Sequence, residues 1–238
     1  MKILSIGNSF SQDAQRYLHE IAAANGKNLK CVNLYIGGCS LKQHYFNMLD
    51  DEKAYDFEFN GMSTGIKVSI REALKSNDWD CITLQQASHE SFDFELYIPY
   101  IEKLAEYVRL YLPKAKILLH QTWAYCDDTE KLSSTGYAHT SDMFHDIKAA
   151  YHKAAERIHA DDIIKSGQAM LNAYEKNPDI IYRDGFHASL GFGRYLLGLT
   201  WYRALYGDYE NIKHMQSFDA PVSESELKLA EEVSRIAE

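Results

Sequence analysis

Two short stretches of this 238-residue chain carry side chains suited to nucleophilic chemistry, GNSFS at residues 7–11 and DGFH at residues 184–187. The first closes an apolar run, KILSI, and opens a helical pattern, so Ser9 stands on a tight strand-to-helix turn. A serine there exposes its Oγ, while its own backbone N–H, at a helix start, points to where an oxyanion would form. Serine also caps helices, and Ser9 or Ser11 can serve that purpose alone. Asp184 and His187 lie three apart in a loop ahead of an amphipathic segment. Such a turn sets carboxylate beside imidazole, which fixes the ring tautomer and stabilises the imidazolium. The competing assignment makes Asp184 or Ser189 a helix cap and His187 a surface histidine.

The elements that must position these residues follow from hydrophobic patterning. Short β-branched runs alternate with longer amphipathic ones: KILSI, then QDAQRYLHEIAAAN; LKCVNLYI; DCITLQ, then ELYIPYIEKLAEYVRLYL; AKILLHQ, then residues 141–159; DDIIK near residue 163. This predicts an α/β fold with a central parallel sheet between two helical layers. Continuous apolar runs suit strands buried on both faces. YDFEFNGMSTGIKVS has period-two alternation on both sides of a glycine-bearing turn and predicts an inserted antiparallel β-hairpin, an edge or a lid. GFGRYLLGLTWYRALYGD and SESELKLAEEVSRIAE read as helices, Ser223 and Glu226 making a capping box in the second. No repeat and no linker divides the chain, so a single domain over residues 1–238 is expected.

Ligands of such sheets bind outside the carboxyl ends of the strands. That pools GNSFS with Gly37-Gly38-Cys39-Ser40, with Gln85-Gln86-Ala87-Ser88-His89 and with His120-Gln121-Thr122-Trp123. Trp123 and Tyr125, beside Gln121 and His120, can hold a sugar ring, or Trp123 can close the edge of the core.

Taken together, these blocks resemble the GDSL/SGNH hydrolase superfamily. GNSFS is similar to its first block, Gly-Asp-Ser-Leu/Phe-Ser/Thr, and DGFH to its last, Asp-x-x-His, while LQQASH and HQTWAY resemble a subgroup with no agreed substrate. The resemblance spans nearly the whole chain and implies a flavodoxin-like three-layer α/β/α sandwich. It implies Ser9 as nucleophile, His187 as general base and then acid, Asp184 as the group orienting His187, and an oxyanion hole from the N–H groups of Ser9 and Gly38. A third donor normally comes from a Gly-x-Asn-Asp block after the third strand. Here an ungapped match puts His89 at the Asn, whereas a relative with Gln-Gly-Glu nominates Gln86. Asn8 stands where the superfamily has Asp. The implied activity is cleavage of carboxylic esters through an acyl-enzyme, by an acetyl esterase acting on carbohydrate or another small ester, with no metal or organic cofactor. The alternative is a non-catalytic glycan-binding protein on the same scaffold.

Composition narrows the partners. The formal net charge is −9 and no block of consecutive Lys or Arg occurs, so the basic stripe that nucleic acid or anionic lipid requires is missing. A small-molecule or glycan ester is the expected partner. The opening KILSIG is too short for a signal-peptide core, and no 18-residue apolar run occurs, so the chain as written reads as cytoplasmic, as would a secreted protein trimmed of its signal. Cys31, Cys39, Cys81 and Cys126 lack CxxC spacing and read as structural thiols rather than disulfides or a zinc knuckle. His145, His152 and His159 recur every seven residues, about 10.5 Å apart along a helix and too far to share one ion.

Overall fold

In the computed structural model, which describes residues 1–207 and 210–235, the N-terminal apolar run is a central strand of a seven-stranded sheet. β1 (Lys2–Gly7) lies between β2 (Lys30–Tyr35) and β5 (Cys81–Leu84), parallel to both, and β6 (Lys116–His120) and β7 (Asp162–Ile164) continue the parallel array beyond β5. The hairpin of β3 (Tyr55–Phe59) and β4 (Met62–Val68) extends the other side, β3 pairing antiparallel with β2. The order is β4-β3-β2-β1-β5-β6-β7.

The helices are α1 (Ser9–Gln15), α2 (Leu18–Ala24), α3 (Leu41–Leu49), α4 (Ile70–Lys75), α5 (Tyr100–Tyr111), α6 (Glu130–Ser133), α7 (Thr140–Ile158), α8 (Ser166–Tyr174), α9 (Phe192–Tyr206) and α10 (Glu224–Ser234). α9 packs against α1, α2, α8 and α10, while α5 packs against α3, α4 and α7. Parallel strands thus have helical cover, as their unbroken apolar runs require. Among the described residues, no helix is long and apolar enough to cross a membrane.

The hairpin is an edge rather than a lid. Its turn uses Asn60 and Gly61, both at positive φ (50° and 77°), the pairing that matches strand twist in two-residue hairpins. Glu58 of β3 is buried, accepting from Asn33 Nδ2 at 2.8 Å and from Gln12 Nε2, which ties the insertion to β2 and α1. Burial pushes the Glu58 carboxyl above its usual range, against the pull of those two amides.

Several elements depart from the pattern in the sequence. The stretch expected as one helix after β1 is two, α1 and α2, separated at Arg16 and Tyr17. In the stretch 95–112, a 3₁₀ turn at Phe94–Tyr97 precedes α5, and Pro99, which has no N–H to donate, marks the break. α9 is not amphipathic but buried along most of its length, because four helices surround it. The Ser223–Glu226 capping box is present at the start of α10. Asp208 and residues 236–238, which the hydrophobic pattern assigns to C-terminal helices, lie outside the described residues.

Candidate active site

Ser9 is the first residue of α1, and its neighbours perform the capping that would otherwise occupy it. Asn8 is the N-cap, its Oδ1 accepting from Phe10 N at 3.0 Å, and Ser11 Oγ accepts from Asn8 N at 3.1 Å. Ser9 Oγ instead lies 3.0 Å from His187 Nε2. The far side of the ring, Nδ1, is 2.7 Å from Asp184 Oδ2. A carboxylate only accepts, so Nδ1 carries the proton and Nε2 presents its lone pair to the serine hydroxyl. Ser189 supplies the cap near α9, accepting from Gly193 N at 2.8 Å, which leaves Asp184 to the histidine.

Asp184 is held by more than the ring. Its Oδ1 accepts from the backbone N–H of His187 (2.8 Å) and Phe186 (3.3 Å). Partial burial would raise its pKa, but the His187 ring and these two amides outweigh it and hold the carboxyl below its usual range. The group therefore stays ionised at any pH where an imidazole can act as a base.

Two contacts lock this loop, from the C-terminal third of the chain, onto the start of α1. Trp123, just past β6, stacks on Phe10 with ring centroids 3.8 Å apart and donates its Nε1–H to Phe186 O at 2.7 Å. Arg183, immediately before Asp184, donates to both oxygens of Asp13 at 2.9 and 3.0 Å and to Ala188 O. Asp13 is fully buried on α1 and also receives Arg194 Nε at 2.8 Å. Replacing Trp123 by Phe keeps the stack and leaves Phe186 O without its donor. We expect a loss of about 1–3 kcal/mol in urea unfolding and a fall in kcat larger than any change in KM; an unchanged kcat would show that this bond does not set the position of His187.

The second strand end meets the nucleophile through Asn8, whose Nδ2 donates to Cys39 O at 3.1 Å. This holds the turn at Gly37 and Gly38 beside Ser9, and Gly38 adopts φ +64°, a left-handed conformation open to glycine. Asn8 Oδ1 also receives Gln85 Nε2 at 2.6 Å, and Gln85 Oε1 lies 2.7 Å from His120 Nδ1, so a buried polar chain joins β1, β5 and β6 behind the nucleophile. Burial lowers the pKa of His120 to about 3, so the chain is neutral.

Ser9, Gly38, His89 and His187 line one open cleft of about 420 Å³, together with Tyr35 and Tyr125 among others. Gln86 does not. It is fully buried, its Oε1 accepting from Leu41 N and Ala87 N at 2.9 Å each and its Nε2 donating to Leu96 O at 3.1 Å. Of the two residues nominated as third donor, the structure brings only His89 to the cleft. Trp123, His120, Gln121 and Tyr125 are all buried, so Trp123 closes the core edge, and of that group only Tyr125 borders the cleft, from within the core.

The four cysteines are free thiols. Burial pushes Cys31 and Cys39 up to about 12 and Cys81 up to about 11, as expected for inert packing groups. Sequence reasoning missed Asp13, Arg183 and Lys131, the last of which lines the cleft from α6.

A family model described as a domain of unknown function, DUF4886, matches residues 2–235. No curated protein matches the chain. Among solved structures, a DUF4886 family protein from Bacteroides uniformis is 33% identical with a TM-score of 0.92, over 98% of this chain and 93% of that one. An SGNH hydrolase candidate from Slackia heliotrinireducens is 21% identical, with a TM-score of 0.65 over 86% of this chain and 98% of its own. The psychrotrophic esterase EstA from a Pseudoalteromonas species, in a structure inhibited by monoethylphosphonate, is 12% identical, with a TM-score of 0.55 over 86% and 96%. The last two likenesses are of fold: a mostly parallel sheet flanked by helices.

Proposed function

This chain belongs to the DUF4886 family, and we propose that it is a serine hydrolase that cleaves carboxylic esters of small acyl groups through an acyl-enzyme on Ser9. The observation that carries this reading is the continuous relay from Ser9 Oγ to His187 Nε2 and from His187 Nδ1 to Asp184. The SGNH-type fold of its structural neighbours supports it.

In the first step Ser9 Oγ attacks the ester carbonyl while His187 Nε2 takes its proton, and the Asp184 carboxylate stabilises the imidazolium. The carbonyl oxygen, now an oxyanion, accepts from the N–H groups of Ser9 and Gly38. As the first N–H of α1, that of Ser9 has no intrahelical acceptor to compete for it. The third donor we assign is His89, which lines the same cleft and whose ring can donate a hydrogen bond. His187 then protonates the departing alcohol, and water attacks the acyl-enzyme by the same route in reverse.

The cleft volume of about 420 Å³ is at the small end for ligand sites, which supports a short acyl group. A carbohydrate alcohol keeps the half-buried Tyr35 as a ring contact, but not Trp123 or Tyr125, which are buried. The competing reading, glycan binding without turnover, draws on the commitment of the Gln86 amide elsewhere. A series of 4-nitrophenyl esters of increasing acyl length separates the two. The hydrolase reading expects turnover that is highest on acetate and falls with chain length; a folded protein that binds glycans and turns over no ester of the series would favour the alternative.

A further inference from the structure

The walls of the cleft differ in charge from the rest of the protein. The chain has a net charge of −9, yet none of the twelve residues lining the cleft is Asp or Glu, and one is Lys131. The Lys131 ammonium stands 4.5 Å from the ring centroid of Phe186 and 5.8 Å from that of Tyr125, two aromatic residues of the same lining. Aromatic faces attract a cation without neutralising it. Among the described residues, no carboxylate pairs with Lys131.

The helix that carries the exposed Lys131 is tied to the relay loop through its backbone. That helix, α6, is capped by Thr129, whose hydroxyl donates to Cys126 O at 2.7 Å, and Cys126 N donates to Gly185 O at 2.7 Å. Gly185 is the residue after Asp184. Phe186, the ring beneath the ammonium, has its centroid 3.9 Å from that of His187. In the mechanism above, His187 protonates the departing alcohol, so the alcohol lies on the His187 side of the scissile bond.

We propose that Lys131 forms a subsite for an anionic group carried by the alcohol portion of the ester, a carboxylate, phosphate or sulfate. This rests on the reading of Ser9 as the nucleophile and extends it to the substrate class. A neutral alcohol makes the aromatic contacts only; an anionic one adds a charge-assisted contact to Nζ.

The test compares three esters in the wild type and in Lys131→Arg, Lys131→Ala and Lys131→Glu. They are 4-acetoxybenzoate (anionic alcohol), its methyl ester (neutral alcohol) and monophenyl succinate (anionic acyl group). The readout is the ratio of kcat/KM for 4-acetoxybenzoate over its methyl ester, which is independent of how much of each sample is folded. We expect Lys131→Ala to lower the ratio about fivefold, Lys131→Glu to lower it further, Lys131→Arg to retain it, and raised salt to weaken it in the wild type. Ratios that are the same in all four proteins would overturn the proposal, as would a Lys131 effect confined to monophenyl succinate. Equilibrium binding of 4-acetoxybenzoate to Ser9→Ala, with and without Lys131→Ala, separates this failure from failure of the hydrolase reading. Binding that depends on Lys131 in a protein whose wild type turns over no ester would sink the hydrolase reading and keep the subsite; binding indifferent to Lys131 would sink the subsite.

Discussion

Ser9→Ala and His187→Ala are each expected to lower kcat/KM on a small ester by about 10⁵-fold or more, and the double variant to be little worse than either single one. The reason is geometric. With Ser9 Oγ 3.0 Å from His187 Nε2, the hydroxyl is a nucleophile only while the ring can take its proton, so removing either partner removes the same step. Asp184→Asn is expected to cost less, about 10⁴-fold. It leaves the ring in place but no longer favours the tautomer that presents Nε2 to the serine. Thermal melts of each variant guard against unfolding as the cause. A His187→Ala protein retaining activity within about tenfold of the wild type would remove His187 from the mechanism.

The largest effect on stability is expected at Asp13. Its carboxylate is fully buried and is shared by Arg183 and Arg194, and Arg194 with Arg16 also binds Asp219. Removing one partner of a buried ion pair leaves uncompensated charge, so Asp13→Ala is expected to lose about 3–5 kcal/mol in urea unfolding, a large share of a typical domain's stability. The same change frees Arg183, and with it the loop that carries Asp184 and His187. In conditions where the variant remains folded, kcat should therefore fall although Asp13 touches no substrate. A change within about 0.5 kcal/mol, the range of ordinary surface substitutions, would show that the cluster does not hold the loop.

Much of the fold was legible because the signals were local. Strand runs end in polar clusters, and Ser223 with Glu226 writes its capping box in four residues. Asn60 and Gly61 mark the hairpin turn in two. The pairing of Ser9 with DGFH was legible for another reason: the two blocks together resemble those of one hydrolase superfamily, although Asp184 and His187 stand in the loop before α9 rather than at a strand end, 178 residues from Ser9 in the case of His187.

What stayed hidden depends on tertiary neighbours. Asp13 and Arg183 are 170 residues apart, and neither stands out in its own segment. By its local sequence Trp123 suits a ligand and the core equally, and the stack on Phe10 decides for the core. Gln86 and His89 are both side-chain donors in one short segment, and only the direction of the chain after β5 decides that the first turns toward Leu41 and Leu96 while the second reaches the cleft. α9 carries few charges to reveal a solvent face because it has almost none.

The measurement that tests the central claim most directly is intact-mass analysis after incubation with a fluorophosphonate, on the wild type and on Ser9→Ala. An activated serine attacks phosphorus and expels fluoride, adding one phosphonyl group per chain. The expected result is a single adduct on the wild type and none on Ser9→Ala. A folded wild type that gains no adduct, or a Ser9→Ala protein that gains the same one, would contradict the assignment of Ser9 as the nucleophile.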